Sequence, residues 1–333
     1  MNRRLIGLPR AGRGGLPRLH AALLGLALLS SAVADPAAIP DATPAGPAPA
    51  LSVVVSVLPL ATFVEAVGGE RVAVQTMVLP GQSPATYDPS PKQIAALADA
   101  DLYVRVGVPF EAAWMKRIRA ANSNMPVLDL RDGLPLRPQE DHVHDVHEHE
   151  HAEGTGSDHP DAQAGQAAPD GMDAHVWTSP RLVQRMAVAI RDALTELDPG
   201  GAALYAANQA AFNTELTALD AELSAALSGL ESRNFLVYHP AWGYFADAYG
   251  LTQIPVEREG KAPTARRLTA LIEQARAADT RVIFVQRQFD RRAAARVAHE
   301  IGGRVEAVDP LAPDYVANLR HVAGAIASAQ APR

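Results

Sequence analysis

Short apolar runs alternate with amphipathic segments along most of the chain. In the first run, 51–57, five of the seven residues are apolar and four of these are valine, which is typical of a strand buried in a parallel sheet. Strands are predicted at 51–57, 72–78, 101–106, 127–130, 235–238, 282–285 and 305–308. Helices are predicted from Pro91 onward and at 110–120, 180–197, 202–230, 263–278, 291–301 and 314–329. This alternation predicts an α/β fold in which helices cover mostly parallel sheets.

The longest helical segment, 202–230, separates two groups of strands. It carries leucines at helical spacing, and at 1.5 Å per residue it would be roughly 40 Å long. We therefore expect an N-terminal α/β lobe at 51–201, this connecting backbone helix, and a C-terminal α/β lobe at 231–333. A ligand is expected in the cleft between the two lobes.

The first 34 residues have the order of a secretory signal peptide. Arginines precede a short apolar run, 21–29, and the small residues Ala32 and Ala34 follow it as a cleavage site. The run is too short to cross a bilayer. We expect cleavage after Ala34, with the twin-arginine route as an alternative to the general one. Residues 35–50, rich in Pro and Ala, are predicted to form a flexible leader.

Composition narrows the chemistry that the chain can perform. Its 333 residues include 37 acidic and 30 basic side chains, and this net charge of −7 argues against nucleic acid as a partner. The chain has no cysteine, which excludes disulfides, thiolate metal sites and a lipid-anchored cysteine. Imidazole and carboxylate groups remain as the candidate ligands.

One internal stretch, 138–171, contains almost no large apolar side chains and is predicted to be a mobile surface loop. Six of the eleven histidines of the chain lie within it, interleaved with Asp and Glu. Such spacing favours weak, multiple metal binding without one fixed geometry. The candidate accessory, low-affinity ligands are His142, His144, His147, His149 and His151.

Three further residues stand where strands end or loops begin. His175 comes just before a helix start, His239 follows the strand at 235–238, and Asp309 follows the strand at 305–308. Side chains at the carboxyl ends of parallel strands face the ligand crevice. Imidazole and carboxylate are the usual ligands for divalent transition metals where thiolate is missing. These residues are the candidate core metal site.

The segments around these residues resemble a cluster of solute-binding proteins of bacterial ABC transporters that deliver zinc or manganese. The matching segments include Asp173-Ala-His-Val-Trp-Thr-Ser-Pro180, His239-Pro-Ala-Trp-Gly-Tyr-Phe245 and Asp309-Pro-Leu311. Others, at 55–60, 67–69, 79–81, 87–91 and 100–102, occur in the same order. The resemblance implies two α/β lobes joined by a rigid backbone helix with one metal between them. It also implies a loop rich in His and acidic residues.

The resemblance assigns His175, His239 and Asp309 as the second, third and fourth ligands. The first ligand of the family is a His in a Pro-His-x-Tyr sequence, where this chain has Ala85. A second departure is Gln286, near which the family tends to have a glutamate. The implied site is two imidazoles and one carboxylate, one ligand short of a tetrahedron.

Three interpretations of the missing ligand stay open. A loop histidine such as His142, His144 or His147 could complete the site. Water, or an oxygen ligand such as Asp88 or Glu257, could do so instead. Alternatively, the site has weakened or changed its ligand.

We expect a periplasmic protein that captures a divalent transition metal, Zn²⁺ before Mn²⁺, and delivers it to an inner-membrane ABC permease. We expect it to be a monomer that binds no nucleic acid. Rival functions are an exported zinc-dependent hydrolase using an open three-ligand site, a binding protein for a chelated metal, and a metal chaperone. The chain contains no His-Glu-x-x-His, G-x-S-x-G or P-loop sequence, so no enzymatic activity is expected.

Overall fold

The computed structural model describes residues 51–139, 171–257, 263–278, 280–289 and 291–330. The predicted signal peptide and leader lie outside the described residues. So does most of the histidine-rich loop, with all five candidate accessory ligands, His142, His144, His147, His149 and His151.

The first sheet has four parallel strands in the order β2-β1-β3-β4. Because β1 pairs with a strand on each side, it lies inside the sheet, and nearly all of its residues are buried. This position explains why five of its seven residues are apolar and why apolar and polar residues do not alternate strictly. The strands are β1 Leu51–Val57, β2 Val72–Val78, β3 Leu102–Arg105 and β4 Val127–Asp129.

The second sheet repeats the arrangement, with four parallel strands in the order β6-β5-β7-β8. Its strands are β5 Asn234–Val237, β6 Thr252–Pro255, β7 Val282–Val285 and β8 Arg304–Ala307. We refer to the part of the molecule built on each sheet as the first and the second lobe. The predicted fold class, two α/β lobes with parallel sheets and a long helix, is confirmed. The predicted lobe boundaries at 201 and 231 stay predictions.

Nine helices occur among the described residues. Four of them carry a proline in the first turn, where the missing N–H breaks no helical hydrogen bond. The helices are α1 Leu58–Gly68, α2 Pro91–Ala96, α3 Pro109–Ala121, α4 Pro180–Leu197, α5 Ala202–Ser228, α6 Gly243–Tyr249, α7 Ala265–Ala277, α8 Arg291–Glu300 and α9 Tyr315–Ala329. None of these described helices is long and apolar enough to cross a membrane.

Three elements were not predicted from the sequence. Helix α1 follows β1 without a polar break, so the apolar pattern does not show where one ends and the other begins. Helix α6 and strand β6 have seven and four residues, which is too short for a periodic pattern to emerge. Strand β6 is important for the site, because Glu257, which follows it, lies beside His239.

The main apolar core runs from the first sheet past α5 to one face of the second sheet. Leu216 and Leu223 of α5 belong to the same cluster of buried residues as Val53 in the first sheet and Phe235 in the second. Leu236, the neighbour of Phe235, faces the opposite side of the second sheet and packs in a separate, smaller cluster. The lobes therefore share a core, which fixes their separation.

Hydrogen bonds also join the two lobes directly. Trp177 Nε1 donates to the carbonyl oxygen of Pro310 at 2.8 Å. The hydroxyl of Tyr244 in α6 donates to the carbonyl oxygen of Asp173 at 2.9 Å and accepts from the backbone N–H of Arg137 at 3.0 Å. Burial raises the pKa of Tyr244 to about 12, so the hydroxyl keeps its proton at neutral pH and can make both bonds.

Replacement of Tyr244 by Phe should destabilise the protein. The change leaves a backbone N–H of Arg137 and a backbone oxygen of Asp173 without the hydroxyl, and each unsatisfied buried group costs about 1–3 kcal/mol. We expect the free energy of unfolding, measured by urea denaturation, to fall by roughly 1–3 kcal/mol.

Tyr103→Phe is the matched control. Tyr103 is fully buried in β3, and its hydroxyl has no hydrogen-bond partner among the described residues. Its removal should leave stability unchanged or slightly raised. Equal stability losses in the two variants would contradict the role assigned to the Tyr244 hydroxyl.

Candidate metal centre

A cavity of about 50 Å³ lies where the carboxyl ends of strands from both sheets meet. Its lining residues come from the loops that follow the strands, as expected for a ligand site in parallel α/β sheets. From the first lobe, Ala85 follows β2 and Val108 follows β3. From the second lobe, His239 follows β5, Gln286 follows β7 and Pro310 follows β8.

The structure brings His175 and His239 together in this cavity. Their ring centroids are 5.4 Å apart, and the rings are nearly perpendicular. The two side chains are 19% and 17% exposed, so both are mostly packed and still accessible from the cavity. One imidazole belongs to each lobe, and a small cation between them would have one nitrogen ligand from each side.

A buried carboxylate holds the His175 ring. Asp173 Oδ1 lies 2.7 Å from His175 Nδ1 and also accepts the backbone N–H of His175 at 2.9 Å. The backbone of Asp173 is itself fixed, because its N–H donates to the carbonyl oxygen of Arg137. The orientation of the His175 ring thus depends on Asp173, whose side chain is bonded to His175 and whose backbone is bonded to Arg137.

His239 is held in the same way from another element. Its Nδ1 lies 2.5 Å from Oε1 of Glu257, a buried carboxylate that follows β6. The backbone N–H of Glu257 donates to the carbonyl oxygen of Tyr238, so pairing of β6 with β5 places the carboxylate. The ring of Phe289 stacks on the imidazole with the centroids 5.0 Å apart.

These two contacts favour one tautomer of each neutral imidazole, the one with its proton on Nδ1. In a neutral ring, an Nδ1–H that donates to a carboxylate leaves Nε2 as the nitrogen with a free lone pair. Metal-binding histidines usually donate the N–H of their other ring nitrogen to a group such as a carboxylate, which increases the basicity of the ligand. Each cavity imidazole therefore keeps Nε2 as the nitrogen without a carboxylate partner, and the assignment of the two histidines as metal ligands stays a prediction.

Asp309 does not line this cavity. Its side chain borders a neighbouring one, and Oδ1 accepts hydrogen bonds from Gln288 Nε2 at 3.1 Å and from the backbone N–H of Leu311 at 3.0 Å. Gln288 and Leu311 border both cavities. Among the described residues, no group of three or more His, Cys, Asp or Glu side chains is arranged to hold a metal. The assignment of Asp309 as a ligand stays a prediction.

The position of the missing first ligand is part of the cavity wall, since Ala85 lines it. Of the oxygen ligands considered as replacements, Asp88 borders a separate cavity and accepts a hydrogen bond from Trp114 Nε1 at 3.0 Å. Glu257 contacts Nδ1 of His239 and so supports that ring from behind. The loop histidines lie outside the described residues.

A buried ion pair shapes the wall formed by Val108. The carboxylate of Glu111 in α3 accepts the backbone N–H of Gly107 at 2.7 Å and Arg105 Nε at 3.0 Å. Burial raises the pKa of Glu111, and the nearby Arg105 opposes that rise. Gly107 has φ of +79°, and a Cβ there would collide with the guanidinium of Arg131. The turn therefore requires glycine.

The supporting roles of Asp173 and Glu257 were not predicted from the sequence. The spacing Asp173-x-His175 is a local signal for such support, because a carboxylate two residues before a histidine can reach its ring. Glu257 gave no such signal, because it reaches His239 only through the pairing of β5 with the unpredicted β6.

Two parallel-sheet lobes with one imidazole from each in a shared cavity define a two-lobed solute-binding protein. The chain belongs to the ZnuA family, described as zinc-uptake complex component A, periplasmic, whose sequence model matches residues 53–329. This membership confirms the resemblance inferred from the sequence.

Comparison with solved structures agrees with this assignment. A crystal structure of ZnuA shares 38% sequence identity with a TM-score of 0.74, and the match covers 85% of this chain and all of that one. A ZnuA deletion mutant crystallised with zinc bound has the same identity and a TM-score of 0.73, covering 85% of this chain and 99% of the mutant.

Characterised relatives are more distant. Zinc-binding lipoprotein AdcA of Streptococcus pneumoniae is 26% identical over 78% of this chain, which spans only about half (50%) of the length of AdcA. Manganese-binding lipoprotein MntA of Halalkalibacterium halodurans is 25% identical, with 76% of each protein covered.

Substitution of the supporting carboxylates should weaken zinc binding although neither would touch the ion. In Asp173→Asn and Glu257→Gln an amide replaces the group that orients the imidazole, and losses of about 10-fold to 100-fold in affinity are typical of such changes. Competition titration with a zinc-sensitive chelator measures the effect.

Asp247→Asn provides the control for these two variants. Asp247 lies in α6 but is 63% exposed, and it forms only a 3.6 Å ion pair with Arg137. Its substitution should leave zinc affinity unchanged. Wild-type affinity in both carboxylate variants would contradict the orienting role.

Proposed function

We propose that this protein captures Zn²⁺ in the periplasm and delivers it to an inner-membrane ABC permease. The observation that carries the proposal is the pair His175 and His239, which come from different lobes and are each held at Nδ1 by a buried carboxylate. Folding fixes both rings, so binding of an ion does not have to pay for ordering them.

The size of the cavity supports a bare or nearly bare ion as cargo. A volume of about 50 Å³ is enough for an ion and a few atoms around it. Sites for organic ligands are typically several hundred Å³. A chelated metal such as a siderophore complex or haem does not fit this cavity.

The ligand chemistry favours zinc over manganese. Imidazole nitrogens suit Zn²⁺, whereas carboxylate, carbonyl and water oxygens suit Mn²⁺. The two carboxylates next to the imidazoles, Asp173 and Glu257, face the Nδ1 atoms and are engaged there. Membership in a zinc-uptake family and the zinc-bound ZnuA relative support the same choice, with manganese as the alternative that the MntA relative represents.

We further propose that the protein binds and releases its ion without catalysing a reaction. A zinc hydrolase needs a base near the metal-bound water. The one carboxylate among the described lining residues, Asp173, is bound to His175, and Glu257 beside the cavity is bound to His239. Most of the other lining groups are apolar, such as Pro84, Val108 and Leu311. The apparent signal sequence and the periplasmic assignment of the family support export to the periplasm.

Water fills the coordination position beside Ala85 in this proposal. A histidine from the loop would have to order its segment, at about 1–2 kcal/mol per residue for the backbone alone. Six ordered residues would therefore cost on the order of 6–12 kcal/mol, a large part of the 10–16 kcal/mol that a whole structural zinc site yields. One extra ligand does not offset that cost.

Substitution of His239 by Ala should remove tight zinc binding. The variant loses one of the two oriented imidazoles, and we expect the affinity measured by competition titration to fall at least about 100-fold. Deletion of 141–159 should change the tight affinity far less and reduce only the number of weak sites. His299→Ala is the control, since His299 is an exposed imidazole of α8. Equal, small losses in the first two variants would contradict the assignment.

Restoration of the imidazole by Ala85→His should tighten zinc binding and slow its release. Ala85 lines the cavity, so a histidine there can replace a water ligand. Stopped-flow transfer of zinc to a chelator measures the release rate, and X-ray absorption counts the imidazoles. Three imidazoles around zinc in the unmodified protein, reduced to two by deletion of the loop, would contradict the water-filled position.

A further inference from the structure

Gln286 is the one cavity-lining residue with a buried polar atom that the described contacts leave unused. It follows β7 directly, is 1% exposed and lines the cavity with His175 and His239. Its Oε1 is buried and accepts no hydrogen bond from the described residues. Buried acceptors are nearly always paired, and an exception of this kind indicates a water or an ion that belongs at the site.

The orientation of the Gln286 amide is fixed by its other end. Nε2 donates to the carbonyl oxygen of His239 at 3.2 Å, so a flip of the amide would exchange a donor for an acceptor and lose that bond. β7 pairs with β5 on one side and β8 on the other, which holds the backbone at this point. The amide of Gln286, a residue of the cavity wall, is thus held at a rigid position with its acceptor oxygen, Oε1, left unpaired by the described residues.

We propose that Gln286 Oε1 accepts a hydrogen bond from a water molecule bound to the captured zinc ion, and so acts as a positioning residue for zinc affinity. This inference rests on the proposed function. Zinc polarises a bound water strongly, which makes it a good hydrogen-bond donor. Zinc takes its own protein ligands from nitrogen, sulfur and carboxylate oxygen, so the neutral amide acts through the water.

Two residues of the cavity wall, Ala85 and Gln286, have complementary roles in this proposal. Ala85 provides no imidazole, which leaves a coordination position for water, and Gln286 provides the acceptor that this water needs. Because the amide is neutral, it orients the water without adding a third negative charge to a cavity that already has Asp173 and Glu257 behind its imidazoles.

The first test compares Gln286→Met with Gln209→Met. Methionine has a similar size and cannot accept the hydrogen bond, so we expect zinc affinity to fall about 10-fold, within the range for lost outer-sphere partners, and zinc release to become faster. Gln209 is a buried glutamine of α5 that does not line the cavity, and its replacement should leave zinc affinity unchanged. Wild-type zinc affinity in Gln286→Met would overturn the inference.

Gln286→Glu separates the acceptor role from a purely structural one. Glutamate keeps an acceptor oxygen but lacks the amide donor to His239, whereas methionine lacks both. If Oε1 serves the zinc-bound water, the glutamate variant binds zinc at least as tightly as wild type. If the amide only supports the backbone of His239, the glutamate and methionine variants bind zinc equally weakly, and that result would overturn the inference.

A double-mutant cycle makes the test specific for the water. In the Ala85→His background, the added imidazole takes the place of the water, and Gln286→Met should then have no effect on zinc affinity. An undiminished effect in that background would overturn the inference. The proposed function itself fails in a different way, namely if His239→Ala binds zinc as well as wild type does.

Discussion

The bond between each cavity imidazole and a buried carboxylate is the interaction on which the site depends. Without Asp173 and Glu257, the two rings could rotate, and either nitrogen could carry the proton. With them, each ring has one orientation and one free nitrogen. The same carboxylates are bound into the backbone hydrogen bonds around them, so the orientation of both rings is a product of folding.

The separation of the imidazoles is set by packing far from the cavity. Helix α5 contributes Leu216, Leu219, Leu223 and Leu227 to a core that includes residues of both sheets. Trp177 and Tyr244 add hydrogen bonds between the lobes close to the cavity itself. A change in the distance between His175 and His239 would therefore require that buried apolar contacts and these bonds be broken together. The lobes behave as one framework around the ion.

Much of the fold could be predicted from the sequence, because a strand buried on both faces and an amphipathic helix leave strong patterns. The long helix ends at Ser228, two residues before its predicted end, and His175 and His239 line one cavity, while their role as metal ligands stays a prediction. The contacts between individual side chains in the cavity left no comparable pattern in the sequence. Whether Asp309 turns towards His239 or towards Gln288 depends on a rotamer and on hydrogen bonds from a neighbouring loop. Likewise, Glu257 reaches His239 only because a four-residue strand pairs beside β5.

The small volume of the cavity also limits how many water molecules can accompany an ion into it. One water needs about 10–15 Å³ on this measure, so about 50 Å³ holds about three to five, fewer than the six that surround a dissolved divalent ion. An ion must therefore lose part of its hydration shell to fit the cavity. Magnesium dehydrates reluctantly and gains little from imidazole nitrogen, so a small cavity with two imidazoles disfavours it. Discrimination against magnesium thus begins with the loss of water, before the ion is bound by an imidazole.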